Sequence, residues 1–533
     1  MSLSRRDLLK ITMKAGAGAA VLSGIPGPLL AQLGGVLPES VQSIRDPMIK
    51  ELALRAVEAA RGAGASYVDV RLTRTRQFGY GGRIEGLVVG VRSLVNGYWG
   101  FSSGRLWTPD EVARLGRESV GQARALAIGP VREVDLAAVP TPVDEHWTMP
   151  VEIDPFEEVS EEEVSDFLGG LKYFIEAHPN FEVPSSPLAT FVVQEKAFAS
   201  SEGAYCTQRL HRSSGAVVLR LKKNGRELSR GLDTLTPAGL GWELFKGQPI
   251  REQIRRLMDE MEEDFAMPVK PVEVGRYDVV CDARTIVNLV ESTLGTATQL
   301  DRALGFEANA SGTSYLNAPL EMLGSFEVGA PLLTLTANRS EQGGAATVAW
   351  DDEGVRPDEF ALVREGVLQD FQTTRESAAW LAGNTKASRE IRSNGCATAP
   401  TAVEAPLTHT PNLRVAPGSE AVDFDDLVSG IEEGLAVKDM DVSMDFQGLN
   451  GMGQGRVYEV KDGKRVAIVA GAGFLFRAPE LWKRLVALGG EASMRRYGMA
   501  SSKGEPEQTT YHSVSAPPAV FEEFTVIDPR RKA

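Results

Sequence analysis

Apolar residues in segment 47–62 recur at helical spacing. Ile49, Leu52, Leu54, Val57 and Ala60 mark one face, so the segment is read as an amphipathic helix. Gly62 and Gly64 stop it. The pattern then changes to period two, and Tyr67-Val68-Asp69-Val70-Arg71-Leu72 alternates as a half-buried strand. Leu87–Val91 and Tyr98–Phe101 read as further strands, with Asn96-Gly97 as a hairpin-type turn. Thr108-Pro109-Asp110-Glu111 opens a helix that runs to about Ala127, because proline suits the first helical position. Residues 45–130 therefore form a small α/β domain.

Residues 130–160 are rich in Pro, Asp and Glu without periodicity and read as an irregular connection. A helix follows at 161–178, then strand-rich sequence at 188–235 and a charged helix at 247–265. Pro268 and Pro271 mark a boundary, so 131–270 is treated as a connecting region. Beyond it, Arg276–Cys281 is a strand and Ala283–Leu294 a helix ending at Gly295. Strands and turns dominate 325–372, a helix covers about 424–434, and two strands at 456–470 flank Lys461-Asp462-Gly463. No repeat of 20–50 residues is visible. The fold class is α+β: the small N-terminal domain, then a larger mixed-sheet C-terminal domain over 271–533.

Composition narrows the chemistry. The 533 residues hold 57 Lys and Arg against 72 Asp and Glu, a net charge of −15. Such an acidic balance argues against nucleic acid as a partner, since phosphate recognition needs clustered bases. Cys206, Cys281 and Cys396 are too few for a disulfide framework and too far apart for a CxxC metal or redox motif. Five histidines leave few soft metal ligands.

The first 31 residues read as an address. Ser4-Arg5-Arg6-Asp7-Leu8-Leu9-Lys10 is a twin-arginine pattern, followed by a weakly apolar, glycine- and alanine-rich stretch to Ala31. This leader carries four basic and one acidic residue, so the remainder has a net charge of −18. Export by the Tat pathway is expected, to the periplasm or to the outer side of a membrane. Leu29 spoils an A-x-A cleavage signal, so the leader can also serve as an anchor. No other segment has 18 consecutive apolar residues.

Four local motifs carry little by themselves. Gly100-Phe101-Ser102-Ser103-Gly104 matches G-x-S-x-G, but a nucleophile elbow needs a helix directly after the turn, and Arg105-Leu106-Trp107 intervene. Asp351-Asp352-Glu353-Gly354 reads as a solvated turn between strands, with a place in a site wall as the alternative. Gly451-Met452-Gly453-Gln454-Gly455 is not a dinucleotide fingerprint. Ser501-Ser502-Lys503-Gly504-Glu505-Pro506 reads as a mobile loop.

Taken in order, several segments carry more. They are Gly64–Arg71, Gly90–Phe101, Gln299–Asn309, Gly312-Thr313-Ser314, Asp351–Gly354, Pro417-Gly418, Gly430–Gly434 and Lys503-Gly504-Glu505-Pro506. Together, across about residues 45–530, the chain resembles the TldD/PmbA family, bacterial proteins of the modulator-of-DNA-gyrase type. The resemblance makes GFSSG part of the family scaffold.

The zinc-bearing branch of that family resembles a metallopeptidase built on His-Glu-x-x-x-His and a distant Cys. Two imidazoles and a thiolate would hold the metal, which acidifies a bound water for the glutamate to deprotonate. Aligned through Gly295 and Gln299–Gly305, this chain has Glu291 at the first His, Ser292 at the Glu and Thr296 at the second His. Ser501 stands at the Cys position. A one-residue shift restores no histidine, because none lies between His211 and His409. One carboxylate and two neutral hydroxyls make a weak metal site. No metal or other cofactor is expected, and no residue is assigned a catalytic role. His512 lies near Ser501 in sequence and is a candidate helper; its bland reading is an exposed polar residue.

In this family a zinc-bearing subunit pairs with a zinc-less one around an enclosed chamber. The resemblance therefore implies the zinc-less subunit of a metallopeptidase complex acting on unfolded or small peptides. The expected partner is a second family subunit, or a second copy of this chain. Alternatives are an active peptidase with a non-standard site and a non-enzymatic peptide-binding protein.

Overall fold

The computed structural model describes residues 43–79, 82–131, 134–381 and 392–530. The leader at 1–31 lies outside them. Helix α1 (Pro47–Gly62) is capped by the Asp46 carboxylate and buries Ile49, Leu52 and Val57. Strands β1 (Tyr67–Gly79), β2 (Ile84–Val95) and β3 (Tyr98–Gly104) form an antiparallel meander. Asn96 and Gly97 have φ of 53° and 79°, the left-handed pair that a tight hairpin requires. Helix α2 (Pro109–Leu126) starts on the Thr108 cap and packs against β3. A Cβ on Gly100 would stand 2.0 Å from the Ser119 carbonyl oxygen, so glycine sets the helix–strand distance. Ser102 donates its hydroxyl to the Leu115 carbonyl, 2.7 Å away. The GFSSG segment is thus a strand beneath a helix, not an elbow.

The chain continues through β4 (Val143–Thr148), α3 (Glu161–Glu176), β5 (Leu188–Ser200), β6 (Tyr205–Ala216), β7 (Val218–Lys223), β8 (Arg226–Gly231) and α4 (Ile250–Ala266). β5 pairs antiparallel along β1, from Asp69 opposite Ser200 to Gly79 opposite Thr190. The first sheet runs β3-β2-β1-β5-β6-β4. The region read as a connection therefore supplies half of the N-terminal sheet. Its irregular stretch also contains β4, which adds in parallel to β6 at the edge.

The C-terminal half begins with β9 (Val269–Pro271), β10 (Gly275–Cys281) and α5 (Ala283–Val290). Next come β11 (Leu335–Asn338), β12 (Phe360–Arg364), β13 (Val367–Leu368) and β14 (Asn412–Val415). After helix α6 (Phe424–Ser429) come β15 (Glu433–Met444), β16 (Asn450–Lys461), β17 (Lys464–Ala470), β18 (Gly473–Arg477) and β19 (Leu485–Leu488). β20 (Arg495–Lys503), β21 (Gln508–Ala516) and β22 (Ala519–Ile527) close the chain. One sheet runs β9-β17-β16-β15-β10-β22-β18, with β18 also pairing back onto β16, so it curls closed. Another runs β13-β12-β11-β14-β21-β20. α5 lies between them and contributes Ile286, Val287, Leu289 and Val290 to the main core beside Val437, Leu413 and Val514. The three cysteines are buried and unpaired. Among the described residues, no helix is long and apolar enough to cross a membrane.

The Asp351–Gly354 turn is not solvated. Asp351, Asp352 and Glu353 are all buried, and Asp352 and Glu353 find their partners on the N-terminal sheet. Arg92 bridges Asp69 at 2.7 Å and Glu353 at 2.9 Å, and Lys196 meets Asp352 at 2.8 Å. Arg375 reaches Glu202 at 2.7 Å. A Cβ on Gly90 would fall 1.9 Å from the Ala402 carbonyl oxygen, so the two halves touch backbone to side-chain position there. The acidic motif is an inter-domain pin. Lone charges buried in this way would be costly; Asp352 and Glu353 have counter-ions, and Asp351 accepts backbone N–H bonds from Glu353, Val355 and Ala397.

Candidate functional site

Helix α5 begins on the Asp282 carboxylate, which accepts from the Thr285 N–H at 2.9 Å. It passes without a break into a π turn over Glu291–Gly295, where the Thr296 N–H reaches back to the Glu291 carbonyl. The metal-motif segment is thus a widened helical turn, a form that often marks functional positions. Trp482 donates its indole N–H to the Thr293 hydroxyl at 2.8 Å, and Gln372 donates to the Gly295 carbonyl at 2.6 Å. These contacts hold the turn against its neighbours.

Glu291 points at β21. Its Oε2 lies 2.6 Å from Nε2 of His512, whose ring is fully buried. A Cβ at position 295 would come 2.8 Å from the same carboxylate oxygen, so Gly295 leaves room for Glu291. His512 is therefore not an exposed polar residue. Its other nitrogen, Nδ1, is buried without a partner. Strand register places Met499 opposite His512 and Thr510 opposite Ser501. Thr510 shares a 3.0 Å hydrogen bond with Nδ1 of His409, and burial, reinforced by the charge of Lys503, pushes the His409 pKa down to about 3. The Ser501–Pro506 stretch is also more ordered than a mobile loop. Residues 501–503 end β20, and the Lys503 ammonium is buried 2.6 Å from Asp301.

The four motif-equivalent residues separate. Glu291 engages His512, and the Thr296 hydroxyl donates to the Ser292 carbonyl within the helix at 3.1 Å. No side-chain hydrogen bond or ion pair joins Glu291, Thr296 and Ser501. Ser292 alone borders a cleft of about 1710 Å³ between the two halves. One wall is β5, β6, residues 228–237 and α4; the other includes Asp282, Asp439 and Tyr497. Burial, with the nearby Asp439 carboxylate, pushes Asp282 up to about 7.

The family's zinc does not fit this donor set. The one carboxylate is already bonded to an imidazole, and the remaining positions offer neutral hydroxyls. No group of three or more His, Cys, Asp or Glu among the described residues is arranged to hold a metal ion. Sequence proximity suggested His512 as an aid to Ser501. Its partner, Glu291, lies far away in the chain, and no local signal links the two.

Comparison with known proteins agrees with this scaffold. The model of the PmbA/TldA metallopeptidase C-terminal domain matches residues 274–528. A metalloprotease of Methanocaldococcus jannaschii is 22% identical over 351 residues, 66% of this chain and 71% of its own. One from Methanothermobacter thermautotrophicus is 25% identical over 356 residues, 65% of this chain and 69% of its own. Among solved structures, one from Thermotoga maritima, described as a candidate modulator of a DNA gyrase, superimposes with a TM-score of 0.69 at 16% identity. That match covers 90% of this chain and 100% of the other. TldE from Thermococcus kodakarensis gives 0.68 at 13% identity over 90% of this chain and 99% of its own. Residues 274–528 thus belong to the PmbA/TldA metallopeptidase C-terminal domain family, and the α+β fold of the chain is that of the TldD/PmbA-type structures.

Proposed function

We propose that this chain is the zinc-less subunit of a TldD/PmbA-type metallopeptidase complex that acts on unfolded or small peptides. The observation that carries the reading is the Glu291–His512 hydrogen bond at the motif position. It consumes the carboxylate there in a buried contact within the chain, while Ser292, Thr296 and Ser501 offer only hydroxyls. The inter-domain cleft is large enough for an extended peptide, and the edge strand β20, which borders it, suits main-chain hydrogen bonding. The partner is a second family subunit that keeps His-Glu-x-x-x-His, or a second copy of this chain. The twin-arginine leader supports export, with the complex acting in the periplasm or on the outer side of a membrane.

The test is metal analysis and peptide cleavage, first with this chain alone and then with a family member that retains the zinc motif. The reading expects no zinc and no cleavage from the lone chain, and cleavage from the mixture. One zinc per chain, lost in Glu291→Ala together with cleavage by the lone protein, would favour an active peptidase with a non-standard site. Peptide binding by a homodimer that never cleaves, with or without the second subunit, would favour a binding protein.

A further inference from the structure

Two arginines in the cleft have no counter-ion. Arg212 projects from β6 and Arg339 follows β11, and both line the cavity. Neither has a carboxylate within 4 Å among the described residues, unlike Arg92 or Arg375. Each is instead fixed on a backbone oxygen: Arg212 Nε donates to the Ala345 carbonyl at 3.2 Å, and Arg339 Nε donates to the next carbonyl, Ala346, at 3.2 Å. A second nitrogen of Arg339 donates to the Gly395 carbonyl at 2.7 Å. The 345–346 segment is itself anchored. The Ala345 N–H donates to Ser513 Oγ and the Ala346 N–H to Asn412 Oδ1. Carbonyl contacts orient a guanidinium without cancelling its charge.

The charged groups around the pair leave that end of the cleft positive. Lys196 is matched by Asp352. Asp351 is the remaining nearby acid, and burial pushes it up to about 7 while it accepts N–H bonds from Glu353 and Val355. Burial, and repulsion from Arg339, lower the pKa of Arg212. The Arg212 guanidinium lies over the Tyr511 ring at 5.3 Å, which keeps its fork flat. Apolar side chains adjoin it: Val192 is the cross-strand neighbour of Arg212, and Val348 also lines the cleft.

We propose that Arg212 and Arg339 form a carboxylate subsite, which holds a carboxylate of the bound peptide with an apolar side chain against Val192 and Val348. A planar fork with free N–H groups matches a carboxylate better than a point charge would. This inference rests on reading the cleft as a peptide site. The carboxylate is that of the free C-terminus or of an acidic side chain.

The experiment is fluorescence anisotropy on the full chain with fluorescein-labelled penta-alanine. Three forms are compared: the free acid, the C-terminal amide, and the amide with glutamate as its last residue. A carboxylate on two guanidiniums should tighten binding by about tenfold over the plain amide. Preference for the free acid assigns the terminus, and preference for the glutamate form assigns a side chain. Either preference should disappear in Arg212→Gln and return in part in Arg212→Lys. In a parallel measurement on the unaltered protein, N-acetylalanine should displace the probe and its amide should not. Equal binding of all three peptides, or a preference that survives Arg212→Gln, overturns the subsite while leaving the peptide cleft intact. Failure of every peptide to bind overturns the cleft reading and the subsite with it.

Discussion

Nε2 of His512 and Oε2 of Glu291 are 2.6 Å apart, and the imidazole has no exposure to solvent. The contact ties the π turn after α5 to the middle of β21. Removing the carboxylate leaves both ring nitrogens buried without partners, since Nδ1 already has none. Glu291→Ala should therefore lower unfolding stability by about 1–3 kcal/mol. Glu291→Gln should lose less, because an amide oxygen accepts the same hydrogen. Urea unfolding of the two variants checks this, and equal losses would show that the hydrogen bond matters little.

Arg92 stands between two buried acids, Asp69 and Glu353, which belong to different halves of the molecule. Arg92→Met should cost about 3–5 kcal/mol, since it strands both carboxylates. Adding Asp69→Asn to Arg92→Met should recover part of the loss, because one stranded charge is gone. Denaturation of the single and double variants gives the coupling directly.

Gly90 and Gly121 make a matched pair of substitutions. An alanine Cβ at 90 meets the Ala402 carbonyl at 1.9 Å, whereas nothing lies within 4 Å of a Cβ at 121 in α2. Gly90→Ala should destabilise by about 1–3 kcal/mol or more through overpacking. Gly121→Ala should stabilise by roughly 0.5–1 kcal/mol through helix propensity. Thermal melts of the two proteins should move in opposite directions.

Asp282 caps α5 and also faces the cleft, where burial and Asp439 raise its pKa from 3.8 to about 7. Below the unfolded value the group is neutral in both states. Between these two values the unfolded chain releases its proton while the folded chain keeps it. Stability is therefore lost as pH rises through this window, and the loss persists above it. Asp282→Asn keeps the cap and has no charge to bury. Its advantage in Tm over the parent should be small at pH 4, grow toward pH 7 and then level off. A constant difference across that range would contradict the assignment.

The legible parts of the fold were those governed by neighbours in sequence. α1 occupies Pro47–Gly62, as its apolar spacing predicts, and α2 begins at the Thr108-Pro109 signal. Strand β4 was not legible, because an edge strand of mostly exposed residues, Val143–Thr148, has no apolar alternation to betray it. It is defined by its distant partner β6. Asp351, Asp352 and Glu353 looked solvated for a similar reason. The burial of Glu353 and Asp352 depends on Arg92 and Lys196, which no local pattern connects to them. At the site, the absence of any histidine between His211 and His409 is legible in the sequence. The Glu291–His512 contact was not visible, because strand register and helix packing create it.

The last strand, β22, pairs with β10, and also with β18 and β19. It carries Phe521 and Phe524 into the main core. A strand far from β10 in sequence is therefore interior to the sheet rather than added at its rim. The meander β1–β3 and its partners β5 and β6 are complete by residue 216 and can assemble while synthesis continues. The C-terminal sheet must wait for β22, and until it is made the edge of β10 that β22 covers stays unpaired. Closure of the curled sheet thus reports that every strand between residues 269 and 527 has been made.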